Sequence, residues 1–310
     1  MAAPHTRPSA AGSDGARASG QGALPAQGEG PLPSAVLHHQ EKGTGRRTTF
    51  LLHGFLGQGR NLLRLATAWL ACDGTRRFVL PDLTGHGHSP PLPPQPTLET
   101  VARDLLALVH GYEGPVEVVG HSFGGRVALQ AALLEPETIA AVTLLDISPS
   151  PVPEHARTHA LMRLLLEAPA SAPSKEAMRA WFLERGLPRH LAEWLLMNLQ
   201  RTASGELCWR IDRARLDALH RASNPIDLWA AVEAPASRVK LCVRGSKSPF
   251  VSDADARRLA ACGVRVVTLE GAGHFLHVEA LDALVAVLCG PGGGDGDGGK
   301  EAPGARAVGG

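Results

Sequence analysis

Residues 116–126 read Val116-Glu117-Val118-Val119-Gly120-His121-Ser122-Phe123-Gly124-Gly125-Arg126 and continue as VALQAALLEP. A short β-branched run gives way at once to apolar residues at helical spacing, and the pentapeptide Gly120–Gly124 sits at the junction. A serine on so tight a strand-to-helix turn needs small residues two positions to either side, which Gly120 and Gly124 provide. The turn aims the Ser122 hydroxyl outward and places it at a helix start, where free N–H groups and the helix dipole favour developing negative charge. Ser122 is therefore the candidate nucleophile.

A serine hydroxyl is a weak nucleophile at neutral pH and needs a histidine to take its proton. Among 14 histidines, position selects His274, in Gly271-Ala272-Gly273-His274-Phe275-Leu276-His277 after the run RVVTLE. A loop at that strand end can bring His274 over Ser122, whereas His277 is expected to open the next helix. His121 should point away from the nucleophile. His53-Gly54-Phe55-Leu56-Gly57 follows the first clear strand, where a second oxyanion donor is needed. The backbone N–H groups of Phe55 and Phe123 form the expected oxyanion pair, with Leu56 as the alternative to Phe55. His53 reads as an organiser of its loop.

Further strands are expected at Thr48–Leu52, Arg77–Leu80, Ile139–Leu145, Val239–Val243 and Val264–Leu269, mostly continuous apolar runs suited to parallel strands covered on both faces. Helical windows lie between them near Leu62–Ala71, Leu98–His110, Gly124–Glu135, Asp253–Cys262 and Val278–Leu288. This alternation implies an α/β fold with a mostly parallel sheet of about seven or eight strands flanked by helices. Residues 150–224 interrupt it without a convincing strand and read as a helical lid. Leu161, Leu164, Leu165, Trp181, Phe182, Trp194, Leu195 and Met197 recur there at helical spacing, most of them expected as lid core.

The domain so outlined spans residues 35–289. Ala, Gly, Pro and Ser make up 23 of the first 34 residues, and glycine 10 of the last 21. Neither end buries enough apolar surface to offset the entropy of ordering, so a disordered arm (1–34) and a disordered tail (290–310) are expected. With 31 basic and 30 acidic residues the net charge is +1, which implies no nucleic-acid partner. No apolar run is long enough for stable membrane insertion, and the first thirty residues lack a secretory apolar core, so a cytoplasmic protein is expected. Cys72, Cys208, Cys242, Cys262 and Cys289 show no CxxC spacing and are expected as reduced, mostly buried thiols. His86 and His88 have no partner at ligand spacing, and no metal or cofactor is expected.

Taken together, LLHGFLG, PDLTGHGHSP, GHSFGG and GAGHFLHVE, in this order and spacing, resemble the α/β-hydrolase superfamily across residues 48–289. The resemblance implies a triad acid in a G-x-x-D turn after the strand that follows the lid. Here that turn reads Gly245-Ser246-Lys247-Ser248, with a serine in the acid's place. LLDISP with its following lid and RGSKSPFVS are similar to an esterase and acyl-thioesterase branch whose histidine is oriented by the aspartate of a D-I-S-P segment. That likeness assigns the acid to Asp146, at the end of the strand beside the nucleophile strand. Asp253 and Asp255 are the main alternatives; Asp82 and Asp227 are weaker ones.

The expected activity is that of a serine hydrolase cleaving a small-molecule carboxylic ester or acyl thioester through an acyl-enzyme. Other chemistry on the same fold (carbon–carbon hydrolysis, cofactor-free haloperoxidation, a menaquinone-pathway lyase) goes with an acid after the later strand, which Ser248 argues against. A catalytically weak receptor is the rival from another class. The lid carries 10 Arg and 1 Lys against 8 acidic residues, a weak pointer to an anionic substrate.

Overall fold

Strands buried on both faces alternate their side chains between two helical layers, and the strand Arg47–Leu52 does so residue by residue. Phe50 and Leu52 pack with the helices Leu98–Val109 and Phe123–Leu134 on one face, while Leu51 packs with the helices Leu63–Cys72 and Leu281–Cys289 on the other. The computed structural model describes residues 36–152, 157–290 and 305–307. In chain order the elements begin β1 (His39–Lys42), β2 (Arg47–Leu52), α1 (Leu63–Cys72), β3 (Arg76–Pro81), α2 (Leu98–Val109), β4 (Val116–His121), α3 (Phe123–Leu134) and β5 (Ile139–Leu145). The lid region follows with α4 (Arg157–Glu167), β6 (Ser171–Ala172), α5 (Lys175–Glu184), α6 (Arg189–Leu196), β7 (Leu199–Arg201), β8 (Leu207–Trp209) and α7 (Arg213–Ser223). The chain closes with α8 (Ala230–Glu233), β9 (Val239–Gly245), α9 (Asp253–Ala261), β10 (Arg265–Leu269), α10 (Leu276–Glu279), α11 (Leu281–Cys289) and β11 (Ala305–Ala307).

The main sheet runs β1-β3-β2-β4-β5-β9-β10-β11, parallel from β3 to β10 with an antiparallel strand at each edge. Register decides what meets at its C-terminal edge. Leu52 pairs with Gly120, His121 with Leu145, Leu145 with Val243, and Leu269 with Gly245. The loops that start at His53, Ser122, Asp146, Ser246 and Glu270 therefore open side by side, where parallel sheets place their ligands.

Three expectations are corrected. The lid is not purely helical: β6, β8 and β7 form a small antiparallel sheet inside it. Strands of two or three residues are too short to show a period of two. Ala305–Ala307, inside the segment expected to be disordered, pairs antiparallel with β10. The arm 1–34 and the rest of 291–310 lie outside the described residues. Finally, Cys72 and Cys289 are not reduced thiols but a disulfide, with Cα atoms 6.5 Å apart across 217 residues of sequence. Cys72 closes α1 and Cys289 closes α11, two helices that pack on the same sheet face. A bridge over so long a loop removes about 5 kcal/mol of denatured-state chain entropy in the simplest account. Titration of unfolded, unreduced protein should count three thiols, Cys208, Cys242 and Cys262; five would contradict the pairing.

Candidate active site

Ser122 ends the turn between β4 and α3 with φ 51° and ψ −118°, in a region that L residues rarely occupy. The surroundings hold it there. Its N–H donates to Leu145 O at 3.0 Å, and its carbonyl accepts from Gly125 N at 2.9 Å. The two glycines answer a packing demand: a Cβ on Gly120 would stand 2.4 Å from Gly124 C and Gly125 N, and one on Gly124 would stand 2.6 Å from Leu52 O. Among mostly buried neighbours Ser122 is half-buried, and it lines a cleft of about 1280 Å³ together with Phe55, Ser248 and His274.

The structure brings Asp146 to His274. Asp146 is fully buried, and its Oδ2 lies 2.6 Å from His274 Nδ1. Its Oδ1 accepts the Gly245 N–H at 2.9 Å, and its Oδ2 also accepts from the Ser248 hydroxyl. A buried carboxylate is tolerable when so fully paired. Ser248, standing where a carboxylate is usual, thus spends its hydroxyl on the carboxylate of the neighbouring strand. His274 is stacked on Phe250 with ring centroids 4.1 Å apart. With Nδ1 engaged by Asp146, its Nε2 is the nitrogen left to face the cleft.

The other acids considered are engaged elsewhere. Asp253 pairs with Arg244 at 2.7 Å, and Asp255 accepts from Ser150 Oγ at 2.7 Å. Asp82 accepts the Gly59 and His88 N–H groups, and Asp227 accepts the Trp229 N–H. The other histidines also have separate places. His53 Nδ1 donates to Gly54 O and its Nε2 accepts the Leu83 N–H, which ties its loop to the next. His121 Nε2 donates to the His274 carbonyl at 2.8 Å, so it supports that loop from below. His277 is in the short helix α10, buried against His121 with its Nδ1 unpartnered.

Burial pushes the pKa of His53 and His121 below 6.5, that of His86 to about 3, and those of His220 and His277 to about 4. In the unfolded chain these rings take up protons near pH 6.5. Below that pH, down to about 4, the unfolded state binds more protons, so stability present above 6.5 is lost as the pH falls. The urea midpoint should therefore be lower at about pH 5 than at about pH 7.5; equal midpoints would contradict this.

Phe123 is the first residue of α3, so its N–H has no partner one turn earlier within the helix. Phe55 lies in a turn closed by Gly57 N to Gly54 O at 2.9 Å. Gly54 packs so closely on His121 that an added Cβ would stand 2.8 Å from its Nδ1, and 3.4 Å from Ser122 Cβ. The Phe55 and Phe123 rings meet edge to face at 5.4 Å.

Of the eight lid positions expected mostly as core, Leu165, Phe182 and Leu195 are fully buried, but Leu161, Leu164, Trp194 and Met197 line the cleft. Helical spacing identifies a covered face without saying whether protein or cavity covers it. Sequence reasoning also missed Arg126. Its buried guanidinium, with pKa lowered by burial to about 10, donates to Ser150 O at 2.9 Å and Ser223 O at 3.0 Å. One side chain of α3 thereby straps both stems of the lid.

Comparison with known proteins gives the chain its relatives. The profile of the Alpha/beta hydrolase family matches residues 50–287. An sn-1-specific diacylglycerol lipase of Danio rerio is 28% identical over 259 residues, 79% of each chain. An esterase of Mycobacterium tuberculosis is 31% identical over 225 residues, 67% of this chain and 72% of that one. Among solved structures, a marine microorganism esterase superposes with TM-score 0.72 at 24% identity, covering 81% of this chain and 97% of that one. A thioesterase domain from the curacin biosynthetic pathway does so with TM-score 0.61 at 22% identity, covering 83% and 96%. At these identities the two structures speak for the fold.

Proposed function

Since the chain belongs to the alpha/beta hydrolase family, whose relatives here are esterases and lipases, we propose that it is a serine hydrolase acting on a small-molecule carboxylic ester or acyl thioester. The observation that carries this reading is the hydrogen bond from His274 Nδ1 to the buried Asp146, in a cleft that also exposes Ser122. In the proposed reaction His274 Nε2 takes the Ser122 proton as Oγ attacks the carbonyl carbon. Asp146 fixes the tautomer with hydrogen on Nδ1 and stabilises the imidazolium. The oxyanion is received by the N–H groups of Phe123 and Phe55, each such donor contributing about 2.7–4 kcal/mol in the transition state. His274 then protonates the departing alcohol or thiol. Water, activated by the same imidazole, releases the acyl group from Ser122.

The apolar lid residues Leu161, Leu164 and Trp194 along the cleft suit an acyl chain. No helix among the described residues is long and apolar enough to cross a membrane. A cytoplasmic location stays part of the proposal, with the Cys72–Cys289 bridge as the feature at odds with it, because reducing compartments keep thiols free. The activity is tested with p-nitrophenyl and acyl-coenzyme A esters of increasing chain length. Turnover that depends on Ser122 is expected. A folded protein that turns over no member would shift the reading to a receptor or to other chemistry.

A further inference from the structure

The loop that offers the Phe55 amide is held from the lid. Its next residue, Leu56, has φ 63°, a left-handed conformation unusual for leucine, with its side chain buried. Asn198, fully buried where the chain leaves α6, donates from Nδ2 to the Leu56 carbonyl at 3.0 Å. The loop reaches back: Gln58 Nε2 donates to Met197 O at 3.1 Å and stands 3.5 Å from Asn198 Oδ1. Asn198 is itself fixed, its N–H donating to Leu195 O at 3.0 Å and its carbonyl accepting Arg210 N–H at 2.8 Å. Both the side chain and the carbonyl of the strained residue are thus held, one by the core and one by the lid.

We infer that Asn198 is a positioning residue for the oxyanion-binding loop, so that the lid sets the direction of the Phe55 and Leu56 amides as well as covering the cleft. The inference rests on the serine-hydrolase reading above. An asparagine that merely joined lid to core would affect stability, or the binding of the acyl chain. One that aims the loop must affect the transition state more than the ground state. Without its hydrogen bond the Leu56 peptide is free to leave the left-handed region, and the neighbouring amides turn with it.

The test compares wild type, Asn198→Ala and Gln58→Met on a short p-nitrophenyl ester, with a trifluoromethyl ketone of matching acyl length as the tetrahedral oxyanion probe. Asn198→Ala should lower kcat about 10- to 100-fold with KM within about twofold, and should weaken the ketone by the same factor as kcat. Gln58→Met should show the same split at a smaller factor, which keeps the inference testable should Asn198→Ala not fold. Folded variants whose kcat and ketone affinity match wild type would overturn the inference, as would a rise in KM alone. Wild-type activity that persists in Ser122→Ala would overturn the serine-hydrolase reading and this inference with it. Activity that requires Ser122 but is indifferent to Asn198 and Gln58 would overturn this inference alone.

Discussion

Ser122→Ala is expected to lower kcat on any ester the protein turns over by about 10⁴- to 10⁶-fold, with the melting temperature essentially unchanged. The size follows from the proposed route: without Oγ no acyl-enzyme would form, and what would remain is the proposed oxyanion hole acting on water. The fold should tolerate the change. The unusual φ of 51° at Ser122 is imposed by its backbone hydrogen bonds to Leu145 and Gly125, and these do not involve the side chain. A variant that keeps more than about a tenth of wild-type activity would remove Ser122 from the reaction.

Asp146→Asn is expected to lower kcat by about 10⁴-fold. The asparagine oxygen can still accept the Gly245 N–H that now goes to Oδ1. Its NH₂ group then occupies the place of Oδ2, which accepts from both His274 Nδ1 and the Ser248 hydroxyl. An N–H facing an N–H favours the other tautomer of His274 or turns the ring away, and the imidazolium loses its counter-charge. Asp253→Asn, at an exposed carboxylate paired with Arg244, should stay near wild type. Undiminished activity in Asp146→Asn would return the acid's role to Asp253 or Asp255.

The parts of the candidate site that were legible in the sequence are those fixed by local sterics. Gly120 and Gly124 must lack side chains because backbone lies within 2.6 Å of where a Cβ would be, and that constraint is written within five residues. The candidate acid was harder to read, because the turn in which the family resemblance expects it holds Ser248. The structure supplies the reason two strand ends can serve: β5 and β9 are neighbours, Leu145 pairs with Val243, and Asp146 N–H donates to Val243 O. A carboxylate from β5 therefore reaches the space the β9 turn would fill. What stayed hidden depends on distant partners. Nothing near Asn198 marks it as a neighbour of Leu56, and Cys72 and Cys289 reveal their pairing only once α1 and α11 are packed together. The lid strands were too short to carry a pattern, and β11 lies in a glycine-rich segment whose composition argues for disorder.

If Ser122 carries the acyl group during turnover, an acyl-transfer inhibitor should trap it there. The protein would be treated with an activated alkyl phosphonate, digested and mapped by peptide mass spectrometry. A single phosphonyl adduct is expected on the peptide bearing Ser122, formed as hydrolytic activity is lost and absent from Ser122→Ala. Loss of activity with the adduct on another residue, or sustained ester hydrolysis with Ser122 fully modified, would contradict it.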